Sequence, residues 1–244
     1  MKIGLIGAGR LGICLALLIE QEGYHVIASD VREGYIKDLQ NKKIDTTEPQ
    51  VQELLEHSIN LEFTTDNLKV IEESDIIFTL VPTPSLEDGS YDVSAVEDVV
   101  FDIIKYGWNK DLSNKSLVVG CTTNPGDCDF FKDKLRETGI NVYYNPEFIA
   151  QGSIVDDLRH ADMVLLGGEG EHSGALEMLY YQIQNGFKVA NVSTMSAKAA
   201  ELTKIAINCY LTTKITYANQ VGQVMIRDGM EKEVKTVLKA IGSD

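Results

Sequence analysis

The stretch that most constrains the fold is Lys2 to Gly12, KIGLIGAGRLG, where a short apolar run ends in Gly7-Ala8-Gly9-Arg10-Leu11-Gly12 and passes into the apolar ICLALLIEQ. Strand, glycine turn and helix follow one another directly. Glycines at this spacing also occur in ordinary turns, but a strand before them and a helix after them is the context that a dinucleotide fingerprint requires. In that reading Gly7 makes the tight turn, Gly9 lets a pyrophosphate approach the backbone, and Gly12 lets helix pack closely on strand. The helix N-terminus then faces the anion.

A ribose site of this type carries an acid at the end of the next strand, about 20 residues beyond the glycines. Tyr24 to Ser29 reads as that strand and Asp30 closes it, where a carboxylate can accept both hydroxyls of an adenosine ribose. NAD is therefore favoured over NADP, whose 2′-phosphate the carboxylate repels. Arg32, two residues on, could accommodate such a phosphate.

A net charge of −15 argues against phosphate-backbone partners, which are bound through clustered Lys and Arg, so no nucleic acid partner is expected. The apolar N-terminus is read as core strand and helix rather than as a leader, because a leader's apolar region does not hold a glycine turn followed by Glu20 and Glu22. No run is long enough to span a bilayer, and four cysteines without compact spacing make neither a disulfide framework nor a zinc site. A cytoplasmic, reducing compartment and no membrane partner are the expectations. At 44% hydrophobic and 24% charged, 244 residues suffice for one large domain and part of another.

Beyond Asp30, helices are predicted over Glu33–Asn41 and Val51–His57, separated by the polar loop KKIDTTEPQ. Glu72 to Val81, acid-rich and then continuously apolar, reads as a strand buried on both faces. It stops at Pro82-Thr83-Pro84, a plain strand terminator or a rigid turn at the carboxyl end of a strand, where open α/β sheets bind ligands. Helix is predicted over Val93–Tyr106, Cys128–Thr138 and His172–Gln184, and strand over Ser116–Cys121, Ile140–Tyr144, Met163–Gly168 and Phe187–Val192. The alternation specifies an α/β fold, a doubly wound parallel sheet of Rossmann type over residues 1–193. From Ser196, a plausible N-cap, the pattern becomes one long helix and then a second near Glu231–Ala240, so 194–244 reads as the start of a central helical domain.

Taken in order, GAGRLG, VPTPSLEDGSYD, CTTNPG, NPEFIAQGSIVDDL and AELTKIAINCYLTTKITYANQ resemble the UDP-glucose and GDP-mannose dehydrogenase family over essentially the whole chain, Glu48-Pro49 included. The resemblance implies an enzyme that oxidises a sugar primary alcohol to a carboxylate in two NAD-dependent steps, through a cysteine-bound thiohemiacetal and thioester. It implies a UDP-sugar substrate, UDP-glucose foremost, and a homodimer through the long helix at Ala197 to Arg227. The cofactor would be held by Gly7, Gly9, Arg10, Leu11, Gly12, Asp30, Val81, Pro82, Thr83 and Thr122. Thr122 would bond a catalytic water, and Glu147 would assist thioester hydrolysis. Lys204 and Asn208, at i and i+4 on one helix face, would stabilise negative charge on the substrate oxygen. On the residues alone, Lys204 reads equally as a solvated lysine, Asn208 as an interhelical hydrogen bond, Glu147 as a turn cap and Thr122 as bonding its own backbone.

The chain departs from the family pattern at Gln151 and Met163, where the family has an acid and often an arginine, and at Tyr35, where a basic residue is frequent and only Lys37 is close. In the family AIG-x-D leads into a glycine-rich loop with the nucleophilic cysteine and then a sugar-nucleotide domain, whereas this sequence ends at Asp244. Cys14, Cys121, Cys128 and Cys209 do not substitute for that cysteine, so NAD binding without sugar oxidation is expected of these 244 residues. Two alternatives stand beside this reading. One is a binding or dimerisation module without catalysis; the other is a relative of 6-phosphogluconate and 3-hydroxyacid dehydrogenases, from which VPTP with NPEF distinguishes it.

Overall fold

The computed structural model describes all residues except 151, 171, 185–190 and 244. The chain divides into two compact units, Met1–Leu202 and Thr203–Asp244.

The first unit opens with β1 (Lys2–Ile6), α1 (Arg10–Gln21) and β2 (His25–Ser29). Next come α2 (Glu33–Gln40), α3 (Val51–His57), β3 (Leu61–Thr64), α4 (Asn67–Glu73) and β4 (Ile76–Thr79). The stretch read as one strand from Glu72 is therefore two elements: its acids close α4, and only the apolar Ile76–Thr79 enters the sheet. β3 and α4 are absent from the sequence reading. LEFT is too short and too polar to alternate, and α4 begins from a cap in which Asp66 accepts from the Leu68 amide at 2.9 Å.

After α5 (Ser94–Tyr106) come β5 (Ser116–Val119), α6 (Asp127–Lys134) with a short 3₁₀ turn at Arg136–Thr138, and β6 (Asn141–Tyr144). Then α7 (Ile154–Arg159), β7 (Met163–Gly167), α8 (Ser173–Ile183) and β8 (Asn191–Met195) complete the sheet. The predicted last strand lies partly outside the described residues. α9 (Ala197–Arg227) follows, its first turn capped by Ser196 Oγ, which accepts from the Ala199 amide at 3.3 Å.

The eight strands lie in the order β3-β2-β1-β4-β5-β6-β7-β8. The sheet is parallel as expected except where β7 meets β6, antiparallel and through the single pair Tyr144↔Gly167. The helix between these strands, α7, has six residues. Helices bury both faces: Ile3, Leu5, Phe78 and Val118 pack with α1 on one side, and Ile77, Leu117 and Val119 pack with α5 and α6 on the other.

The second unit holds most of α9, a 3₁₀ turn at Glu231–Glu233 and α10 (Val234–Ile241). α9 stops at Gly229, whose φ of 79° is the left-handed conformation that ends helices. Tyr217, Val221, Val224, Met225, Met230 and Val237 line an apolar groove between the two helices.

Candidate functional site

Register places the ends of five strands level. Ile6 pairs with Ser29 and Thr79, Thr79 with Val119, and Val119 with Tyr144. Gly7, Asp30, Val81, Thr122 and Glu147 thus emerge along one edge, and the order reverses between β1 and β4, where open sheets of this kind bind ligands. A cavity of about 480 Å³ lies at that reversal, walled by Gly7, Gly9, Asp30, Arg32, Val81 and Pro82.

Gly7 and Gly12 have the turn geometry and the close packing that their spacing predicts. Gly7 has φ 102°, and a Cβ there would stand 2.6 Å from the Leu80 carbonyl oxygen. At Gly12 a Cβ would stand 2.0 Å from the Gly7 carbonyl oxygen, so any side chain would push α1 off the turn. A Cβ at Gly9 would meet nothing within 4 Å, which leaves open space in front of the α1 N-terminus. A bare backbone, a helix N-terminus and a neighbouring cavity suit a pyrophosphate.

Asp30 sits where the sequence places it, but it is already engaged. Its Oδ1 accepts from the Arg32 amide at 3.0 Å and Nε at 2.8 Å, and its Oδ2 accepts from the guanidinium at 2.8 Å. Burial pushes this carboxyl up, but hydrogen bonds and charge from Arg32 outweigh burial and hold it below its ordinary range. The guanidinium lies 4.2 Å from the centre of the Tyr35 ring. A ribose at Asp30 therefore competes with Arg32, and the arginine is positioned by both of its neighbours.

The sequence reading missed other walls of the cavity: Val31, Asn67, Ala95, Asp98 and Val99. Asn67 is held there by the Ser29 hydroxyl, which donates to its Oδ1 at 2.7 Å, and by its own Nδ2, which donates to Asp102 at 3.2 Å. Val31 follows Asp30 directly, and the others come from α4 and α5, which carry no motif. Arg10, Leu11 and Thr83 do not line this cavity.

On the far side of β4 the loops are organised by buried carboxylates. Glu201, near the start of α9 and fully buried, accepts from Thr123 Oγ1 at 2.9 Å and from the amides of Gly126 at 2.6 Å and Cys128 at 2.9 Å. It fixes the CTTNPG loop through Thr123 and leaves its neighbour Thr122 half-exposed. Glu48, also buried, accepts from the amides of Gly152 at 2.8 Å and Ile154 at 3.2 Å, and Asp157 accepts from the Ala150 amide at 2.8 Å. Together they hold the loop that follows Glu147. Glu147 accepts from the buried Tyr180 hydroxyl at 2.6 Å.

Lys204 is buried and Asn208 half-buried on α9. Gln151 lies outside the described residues. The cysteines are free, and none is an activated nucleophile by its surroundings: burial pushes Cys14 and Cys121 up to about 12 and Cys128 well above its ordinary value, while Cys209 is exposed. Among the described residues, no cluster of His, Cys, Asp and Glu could hold a metal ion, and no helix is long and apolar enough to cross a membrane.

Fold and crevice together define a dinucleotide-binding domain of Rossmann type. The model of the UDP-glucose/GDP-mannose dehydrogenase family NAD binding domain matches residues 1–184, and that of the family's central domain matches 198–244. The chain belongs to this family, and NAD is its cofactor. A UDP-glucose 6-dehydrogenase of Rickettsia prowazekii is 31% identical, and a putative UDP-glucose 6-dehydrogenase of Bacillus subtilis is 28% identical; each aligns with the whole of this chain. This chain spans 56% of either, a little over half of their length. Among solved structures, it superposes in full on 56% of a UDP-glucose dehydrogenase from Pyrobaculum islandicum, with a TM-score of 0.88 at 27% identity. It also superposes on 57% of a GDP-mannose dehydrogenase from Pseudomonas aeruginosa, solved as a ternary complex, with a TM-score of 0.86 at 26% identity.

Proposed function

We propose that these residues form the cofactor half of a nucleotide-sugar dehydrogenase that oxidises the primary alcohol of UDP-glucose, or of a related UDP- or GDP-sugar, to the uronate. The observation that carries the reading is the shared edge: Thr122 and Glu147 leave adjacent parallel strands level with the glycine turn and Asp30. NAD bound in the crevice supplies the oxidant for two hydride transfers. Gly7, Gly9, Arg10, Leu11 and Gly12 cradle the pyrophosphate, Asp30 takes the adenosine ribose, and Val81, Pro82 and Thr83 border the dinucleotide. Thr122 orients water at the cofactor's reactive end, and Glu147 takes and returns the proton that hydrolysis of an acyl intermediate requires. Lys204 and Asn208 neutralise charge developing on the substrate oxygen. No thiolate nucleophile is supplied by Cys14, Cys121 or Cys128, whose burial keeps them protonated.

Residues 1–193 are taken as the NAD-binding domain and 194–244 as part of the central helical domain of a cytoplasmic enzyme. The second unit and the end of the first support dimerisation, because Leu202, Tyr210, Leu211, Ile215 and Tyr217 on α9 are all exposed. Sedimentation of the chain at micromolar concentration is expected to give a dimer.

The test of the reading is calorimetry with both cofactors, followed by NADH detection with UDP-glucose and GDP-mannose. NAD binding well above NADP, a narrower margin in Asp30→Ala and no turnover by the 244-residue chain are expected. Equal NADP binding overturns the cofactor assignment, and steady NADH formation overturns the division of labour, with Cys121→Ser the first variant to examine.

A further inference from the structure

Three oxygens meet beyond the end of β6. The Tyr180 hydroxyl, carried on α8, lies 2.5 Å from Asn145 Oδ1 and 2.6 Å from Glu147 Oε1. The orientation of the amide is fixed independently, because Asn145 Nδ2 donates to the Leu165 carbonyl at 3.0 Å. Its Oδ1, which has no hydrogen, must then face the tyrosine. Tyr180 and Asn145 are each only 2% exposed, so solvent does not stand in for either partner.

A phenol carries one hydrogen and can donate to one of these acceptors at a time, while two approaches this short need two protons. With Glu147 ionised, the hydroxyl donates to the carboxylate in a charge-assisted bond. With Glu147 protonated by solvent, the acid donates to the tyrosine oxygen, and the hydroxyl turns its own proton to Asn145. No heavy atom moves between the two states, and no covalent bond other than O–H changes.

We propose that Tyr180 is the positioning residue of Glu147, holding the acid–base side chain in place in both protonation states by turning one hydroxyl proton between the carboxylate and the Asn145 amide oxygen. Burial, together with the charge and hydrogen bond of Glu147, keeps the tyrosine hydroxyl itself far above its ordinary value, so it serves as a donor throughout and never as the base. The inference deepens the proposed function and rests on Glu147 being its acid–base group. Other charged groups bear on the same loop: Glu48 and Asp157 hold its backbone.

The test reads Tyr180 and Glu147 directly in the 244-residue chain, with no turnover required. Proton NMR is expected to show one slowly exchanging hydroxyl resonance, downfield of the amides, that moves in a single step with pH. Tyr180→Phe, which keeps the ring, removes the resonance and raises the carboxyl-carbon titration of Glu147 by about one unit, since the ionised form loses a donor. Glu147→Gln keeps the resonance and abolishes the step, and Lys204→Met keeps both. The proposal is overturned by a resonance that survives in Tyr180→Phe, by a step that survives in Glu147→Gln or vanishes in Lys204→Met, or by a Glu147 titration that Tyr180→Phe leaves in place. Should Tyr180→Phe not fold, isotope-edited infrared spectra of labelled glutamate decide: a hydrogen-bonded carboxylic-acid band in the native chain, absent from Glu147→Gln, supports it, and no such band overturns it. Failure of sugar oxidation for any other reason leaves these readouts unchanged, so the two ideas fall separately.

Discussion

The two halves of the binding edge are built by opposite means. Around β1, β2 and β4 the cavity is shaped by missing side chains, with Gly7 and Gly12 packed where a single methyl would collide. Around β5 and β6 the loops are held by added charge, with Glu201 and Glu48 each accepting two backbone amides. The first half should fail when an atom is introduced, and the second when a charge is removed.

The sharpest way to break this comparison is Gly12→Ala. A methyl 2.0 Å from a carbonyl oxygen forces the helix away from the strand, so a loss of about 3 kcal/mol and of NAD binding is expected from urea denaturation and calorimetry. Unchanged values would show that the turn yields. Next comes Glu201→Gln, nearly isosteric, which turns an amide N–H₂ toward existing donors. It should cost about 2 kcal/mol and speed amide exchange between Thr122 and Cys128 while leaving exchange in the Gly7–Gly12 turn as it was.

These halves also differed in how far the sequence disclosed them. Gly7, Gly9, Gly12 and Asp30 lie within one short strand–helix–strand unit, so spacing alone exposes their geometry. Strand ends were similarly visible, since buried parallel strands are continuous apolar runs. Glu201 meets Thr123 across 78 positions, and Glu48 meets Gly152 across 104, and no local pattern marks such partners. Tyr180 looked like one more apolar residue of an amphipathic helix. The antiparallel pairing of β7 was invisible for a related reason: strand direction depends on where a connection ends rather than on the strand's own residues.

A smaller effect sharpens the contrast. Glu48→Ala should cost about 1–2 kcal/mol by leaving the Gly152 and Ile154 amides without an acceptor, with faster exchange confined to that loop. Smallest is the Asp30–Arg32 pair in the cofactor half. Arg32 lowers Asp30 in the folded state, so its contribution is complete above the unfolded carboxyl value and is lost as pH falls through the folded one. The Arg32 side chain is 56% exposed, so screening limits the contribution to about 1 kcal/mol or less. The difference in unfolding free energy between native chain and Asp30→Asn should therefore shrink from neutral pH toward acid. A difference that grows on acidification would show that Arg32 is not the governing partner.

The single pair Tyr144↔Gly167 divides the sheet along a seam, with β7, α8 and β8 on one bank and the parallel strands on the other. Asn145 spans the seam through its bond to Leu165, and Tyr180 reaches back over it to Glu147. A sheet loaded or thermally agitated should part first along this line, as a sub-global opening in native-state hydrogen exchange that releases β7 and β8 together before β4 and β5. Glu147 would then register the state of the seam, because losing its far bank means losing the Tyr180 hydroxyl that bonds it.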